Sequence, residues 1–165
     1  MYVTSLSAGN DSSPTDIDHP IWEEIKRAIL ALDGRIRSSI FLGKEYEDKE
    51  RQGEIKEFMS IAGGGENGLY ICEVYYYEGD YGNCDYKGND GNLVLFDPDK
   101  SWEEEIEIVR EFPTNFSATQ CFKIEPILVA AETYARFGCR DESLHWGYVN
   151  LDDPKFEIVE VRYLK

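Results

Sequence analysis

The chain has 165 residues, 42% of them hydrophobic and 13% aromatic, with 33 acidic side chains against 17 basic ones and a formal net charge of −16. Its length and apolar content suit one folded domain spanning residues 1–165, and exclude a disordered acidic tail. The charge argues against binding a nucleic-acid backbone or an anionic membrane, both of which need a basic footprint, and leaves a basic partner or simple solubility.

Residues 1–18 read as a short strand, Tyr2–Leu6, followed by a polar lead-in, SAGNDSSPTD. The first helix is HPIWEEIKRAILALDG: Asp18 or His19 can cap it, Pro20 suits its first turn, and Gly34 suits the left-handed residue beyond its end. Ile21, Ile25, Ile29 and Leu32 form a stripe at helical spacing beside Trp22. Glu23 and Glu24 near the start, with Lys26 and Arg27 further along, match the helix dipole. RIRSSIFLGKEY then alternates, with Ile36, Ser38, Ile40 and Leu42 on one side and Arg37 and Ser39 on the other, as a strand with one wet face does. GKEYEDKERQGE carries too many mixed charges for a core and reads as an exposed loop, after which EIKEFMSIA resumes as a strand.

SIAGGGENGLY contains G-x-G-x-x-G at Gly63, Gly65 and Gly68. A dinucleotide fingerprint needs a helix after the glycines, because the pyrophosphate rests on that helix's N–H groups. The glycines lead instead into LYICEVYYY, a β-branched and aromatic run with Tyr70, Cys72, Val74 and Tyr76 on one face. They are therefore expected to turn a hairpin.

EGDYGNCDYKGNDG reads as a further polar hairpin loop. Its Asp80, Asp85 and Asp90 are five apart, which does not match an alternating calcium loop, and no metal site is expected. NLVLFDPD and WEEEIEIVR are strands, the latter with Ile106 and Ile108 inward and Glu105 and Glu107 outward. EPILVAAETYARFG is the second helix: Pro126 sits in its first turn, Gly138 ends it, and Ile127, Ala130, Ala131, Tyr134 and Phe137 form its buried side. DESLHWGYV is a loop or short strand, and KFEIVEVRYLK is a closing strand. The order β-α-β-β-β-β-β-α-β predicts an α+β fold, a mostly antiparallel sheet with two helices packed on one face.

No nucleophile elbow, H-E-x-x-H helix or recognisable zinc-ligand spacing is present, so no enzyme activity and no cofactor are expected. Cys139 and His145 are close along the chain, but Cys139 follows a helix end, where the dipole opposes a thiolate; a small packed side chain is the expectation there. The four cysteines, Cys72, Cys84, Cys121 and Cys139, form no C-x-x-C pair and are expected as reduced thiols. The start lacks the basic and apolar segments of a signal peptide, and no apolar run approaches the ~18 residues of a membrane span, which together predict a cytoplasmic protein.

The acid is localised. Residues 61–111 hold 13 acidic side chains against three basic ones, whereas residues 34–60 balance six against six. The same stretch holds Tyr75, Tyr76, Tyr77, Tyr81, Tyr86 and Trp102. Aromatic anchors ringed by carboxylates suit a cationic protein surface, since Tyr and Trp dominate interface energetics and localised charge speeds encounter. The candidate partner-binding residues are Tyr75, Tyr77, Asp80, Tyr81, Asp85, Tyr86, Asp90, Trp102, Glu103, Glu104 and Glu105. Equally, strand tyrosines often just cover a sheet and acidic loops are often just wet.

The helix IWEEIKRAILALDG followed by a strand, then SIAGGGENGLYICEVY, then a helix ending AAETYARFG before LHW, resembles immunity protein family 1 of bacterial polymorphic toxin systems. The resemblance spans roughly residues 20–146 and rests on the order of Leu32-Asp33-Gly34, Gly63–Gly65, Phe137-Gly138 and Trp146. It implies an α+β protein that binds and neutralises a cognate toxin encoded next door, often a nucleic-acid-modifying enzyme such as a deaminase. It brings no catalytic residues, and Trp146 carries over as a motif residue only. Such a toxin needs a basic cleft, which an acidic plug would fit, as a one-to-one complex formed from a free monomer. The alternative is a small-ligand or sensory domain with a pocket lined by Trp22, Tyr134 and Trp146.

Overall fold

The computed structural model describes residues 1–9, 15–76, 91–149 and 158–161. In chain order the elements are β1 (Ser5–Ala8), β2 (Thr15–Asp18), α1 (Trp22–Leu30), β3 (Ser39–Glu45), β4 (Ile55–Gly63), β5 (Tyr70–Tyr76) and β6 (Gly91–Leu95). After these come β7 (Glu105–Val109), β8 (Pro113–Ser117), a 3-10 turn (Ala118–Gln120), α2 (Ile124–Phe137), β9 (Trp146–Val149) and β10 (Ile158–Glu160). Eight strands form one antiparallel sheet in the order β10-β9-β6-β5-β4-β3-β1-β2, and β7 and β8 pair apart from it. The fold is α+β.

Period-two alternation divides the sheet into two faces. Leu6, Ile40, Leu42, Met59, Ile61, Cys72 and Val74 point to one side, where Ile25 and Ile29 of α1 and Ile127, Ala130, Ala131 and Tyr134 of α2 seal them. Both helices thus cover the front face, and Trp146 closes that core from β9. Each fully buried aliphatic chain here contributes about 1.5–3 kcal/mol by leaving water. On the back face Ala62 and Ile71 meet Ile108 and Cys121, with Leu69, Ile106 and Phe116 around them. The chain leaves the sheet after β6, lays the β7–β8 hairpin on the back, crosses to build α2 on the front, and returns as β9 beside β6.

Several sequence expectations need correction. The lead-in contains β2, whose Ile17 pairs with Leu6 and reaches the front core. β8 was not anticipated either. Ile21 lies outside the buried stripe: it is the N-cap residue, 57% exposed, and the Glu24 carboxylate accepts its backbone N–H at 2.9 Å in place of any bond from Asp18 or His19. Ile36 is exposed in a bend before β3, and the second face of β3 is not uniformly wet, since Ser39 is buried and Phe41 half-buried. Phe137 is 70% exposed, so Ala135, not Phe137, completes the buried side of α2. The glycine at the end of α2 behaves as expected: Gly138 has φ +68, donates to the Tyr134 carbonyl at 2.8 Å, and lies under the Tyr2 ring, where a Cβ would approach within 2.4 Å.

The G-x-G-x-x-G stretch joins β4 to β5, with no helix after it. Gly63, Gly64 and Gly68 have φ of +130, +78 and +62. A Cβ on Gly64 would fall 2.2 Å from the Leu32 carbonyl, and one on Gly34 would fall 2.7 Å from Gly65 Cα. Leu32-Asp33-Gly34 and the glycine loop are therefore two halves of one backbone-to-backbone contact, and small residues are required on both.

Candidate functional site

β7 reads EIEIV, so its alternate residues separate cleanly. Ile108 is buried and Ile106 partly so, while Glu105 and Glu107 are exposed. β8 brings Phe116 opposite Ile106, and these three side chains fasten the hairpin to Ala62 and Ile71 of the sheet. Asn67 ties the glycine loop to the hairpin by donating to the Glu107 carbonyl at 2.9 Å.

A polar network makes the second attachment. Arg110, at the end of β7, reaches back to Glu73 with Nη1 at 2.9 Å from Oε2. Its Nη2 donates to Ser60 Oγ and to Tyr75 Oη, both at 3.3 Å. Tyr75 Oη donates to Glu73 at 2.9 Å, and Asn92 donates to the other carboxylate oxygen at 3.2 Å. Burial, then the Glu73 charge, push the Tyr75 hydroxyl pKa up, and Arg110 only partly offsets them. Burial opposes the charge on Arg110, but Glu73 and Tyr75 outweigh it and raise its pKa. The Tyr75 ring stacks on Phe58 with centroids 4.6 Å apart. Tyr75 is thus part of the strut that holds the hairpin.

The hairpin presents the opposite character to solvent. Glu103, Glu104, Glu105, Glu107 and Glu111 are all exposed, and none forms an ion pair among the described residues. At the apex Phe112 is 72% exposed, the highest value among the large apolar side chains described. Trp102 is half-buried at the hairpin's foot, where Ser117 Oγ donates to its carbonyl at 3.0 Å. Beside it lies an open cleft of about 270 Å³ whose lining includes Trp102, Glu105, Asn115 and Gln120. A second cleft, of about 360 Å³, opens where Asp33, Glu66 and Glu107 converge, with the Arg35–Glu66 pair at 3.0 Å on its rim. Backbone N–H groups of Arg35 and Arg37 bond the Asp33 carboxylate and hold its pKa below the usual range.

Of the residues predicted to meet a partner, Trp102, Glu103, Glu104 and Glu105 therefore stand together at the hairpin's foot, and Tyr75 lies beneath it. Tyr77, Asp80, Tyr81, Asp85, Tyr86 and Asp90 lie outside the described residues. Phe112 was missed by sequence reasoning. The one signal for it was an aromatic residue between Glu111 and Pro113, in a turn where burial gives it no reason to be.

Other candidate chemistry resolves into structure. Tyr134 and Trp146, expected to line a ligand pocket with Trp22, are wholly buried in the core, and Trp22 packs against that core. Cys139 is exposed where a packed side chain was expected, and burial, Asp141 and Glu142 together raise its thiol pKa. His145 Nδ1 lies 2.7 Å from a Glu160 oxygen, which engages the imidazole with β10. Glu57 is 4% exposed and accepts from Tyr2 at 3.0 Å and Tyr134 at 3.3 Å. Among the described residues no group of acidic, cysteine or histidine side chains is arranged to hold a metal ion, and no helix is long and apolar enough to cross a membrane. Compared with protein-family models, with curated proteins and with solved structures, the chain matches none.

Proposed function

We propose that this chain is an acidic immunity-type protein that binds and neutralises a cognate toxin domain, a nucleic-acid-acting enzyme with a basic cleft. One observation carries the reading: an exposed phenyl ring projects from the apex of a firmly anchored hairpin whose five exposed carboxylates lack ion-pair partners among the described residues. The ring supplies an anchor that gains by burial in an apolar pocket, and the carboxylates supply attraction to a cationic rim. A hairpin already held by Arg110 and by Ile108 loses little freedom on binding, which favours affinity. The resemblance to immunity protein family 1 supports the same reading. The protein acts by occupying the toxin's substrate groove, as a cytoplasmic monomer forming a one-to-one complex, with no catalysis, cofactor, nucleic-acid or membrane contact of its own.

The test is co-expression with the toxin domain encoded beside this chain, and titration of the two purified proteins. Phe112→Ala is expected to weaken the complex about 30-fold, the effect of losing a hot-spot ring. The combined Glu103→Lys, Glu104→Lys and Glu105→Lys variant is expected to slow association and to flatten its dependence on salt. Undiminished rescue by a protein carrying all four changes would refute this assignment of the surface.

A further inference from the structure

A separate cleft lies on the front side of the sheet, lined by residues of α1, of β2 and of the segment between α1 and β3. Its lining includes Ala28 of α1 and the helix's C-cap residue Ala31, and such short side chains leave a gap that a larger residue would fill. The result is a cleft of about 210 Å³ with Ile17, Ala28, Leu32 and Ile40 as its apolar floor. Arg27 and Arg37 stand at its margin, together with Glu24.

The state of those two arginines is informative in so acidic a chain. Arg35, Arg51, Arg110 and Arg136 each hold a carboxylate oxygen at 2.7 to 3.1 Å. The guanidinium groups of Arg27 and Arg37 make no ion pair or hydrogen bond among the described residues, and Arg37 acts on Asp33 only as a minor charge at a distance. Two cations that pair with no carboxylate among the described residues thus flank one apolar cleft, although acidic side chains outnumber basic ones almost two to one. Glu24 already accepts the Ile21 N–H at the start of the helix, and its charge disfavours any ligand carrying more than one negative group.

We propose that this cleft binds a small amphipathic monocarboxylate, its apolar body on Ile17, Ala28, Leu32 and Ile40 and its carboxylate between Arg27 and Arg37. The volume is below that of sites for drug-sized molecules and suits a body of about six to ten carbon atoms. Guanidinium forks match a carboxylate in geometry, so the charged end fixes orientation while the floor supplies the burial.

Octanoate is the probe, titrated into the isotope-labelled full chain and followed by backbone amide shifts, with octan-1-ol and octylammonium as charge controls. Saturable shifts are expected at Ile17, Ala28, Leu32 and Ile40, at about millimolar octanoate or tighter. Both controls should bind at least about tenfold more weakly. Arg27→Gln and Arg37→Gln, both at exposed positions, should each weaken octanoate about fivefold or more without altering the rest of the spectrum. Ala28→Leu fills the cleft and should abolish the shifts in a chain whose other amide positions are unchanged. Equal binding of octan-1-ol, shifts confined to another part of the molecule, binding that survives Ala28→Leu, or no saturation by about 10 mM would each overturn the proposal.

Discussion

The two faces of the sheet are covered in different ways. On the front, two helices press Ile25, Ile29, Ile127 and Tyr134 onto a continuous apolar surface that Trp146 completes. On the back, a single hairpin is held by a small apolar patch and by the network of Arg110, Glu73, Tyr75 and Asn92. On the front most of the aromatic and aliphatic side chains are used against one another, and the cleft beside Ala28 is the main gap between them. The back keeps exposed carboxylates and an exposed ring. A large apolar core on one side lets the other side carry groups that contribute nothing to folding.

That contrast can be broken most forcefully at Trp146. Its ring is 1% exposed and its Nε1 donates to the Asp141 carbonyl at 3.3 Å. Trp146→Ala is expected to cost about 3–5 kcal/mol, the loss of a buried aromatic plus the cavity left behind. Urea unfolding at neutral pH checks this. A loss below about 1 kcal/mol would mean that the front core does not depend on β9.

A smaller and more local effect is expected at Arg110→Gln. The substitution removes the cation from Glu73, which is only 6% exposed, leaving Tyr75 and Asn92 as its remaining donors among the described residues. The cost is about 2 kcal/mol, the scale of a hydrogen-bonded charge losing its partner. Amide exchange should rise in β7 and β8 and stay slow in α2 and β4. Pairing the change with Glu73→Gln should recover part of the loss, because the uncompensated buried charge is then gone too. Uniform loss of protection across both faces would show that the hairpin is not a separately anchored unit.

The same division explains what the sequence made legible. α1, β7 and α2 have strong periodicity because each buries one face, with Ile106/Ile108 against Glu105/Glu107 the clearest case, whereas β4 and β5 are covered on both faces and are legible as apolar runs. β8 is PTNFS, which opens with proline and offers one large apolar residue, Phe116; half of a two-stranded ribbon needs no more than that. β2 is an edge strand with Ile17 as its only inward aliphatic side chain, so the pattern is too short to read. The strut under the hairpin joins Glu73 and Tyr75 to Arg110, 35 residues after the tyrosine, and nothing local announces such a pairing. The glycines were readable as a turn from the strand after them, while their contact with Leu32 and Gly34 is tertiary. Within the candidate site the charge was visible in composition, but Phe112 depends on where the turn falls, and that required knowing β8.

The mildest expected effect concerns the front side's connections and their response to acid. Asp141 links α2 to the loop before β9: its Oδ2 accepts from Thr133 at 2.7 Å and its Oδ1 accepts the Ser143 N–H at 2.9 Å. Burial alone would raise the pKa of this carboxyl, but the bonds from Ser143 and Thr133 outweigh it and hold the pKa below the ordinary value. A carboxyl depressed in the folded state stabilises fully above its unfolded pKa of about 3.9, and that contribution disappears as pH falls through the folded value. Wild-type protein should therefore lose stability on acidification below about pH 4 more steeply than Asp141→Asn, with the two curves converging at the acid end. The difference at neutral pH should be under about 1 kcal/mol, because the carboxylate is partly solvated and its interactions are screened. Unfolding midpoints at pH 7 and pH 3 measure it. Parallel curves for the two proteins would place the acid sensitivity elsewhere, with the backbone-bonded carboxylate of Asp33 the next group to substitute.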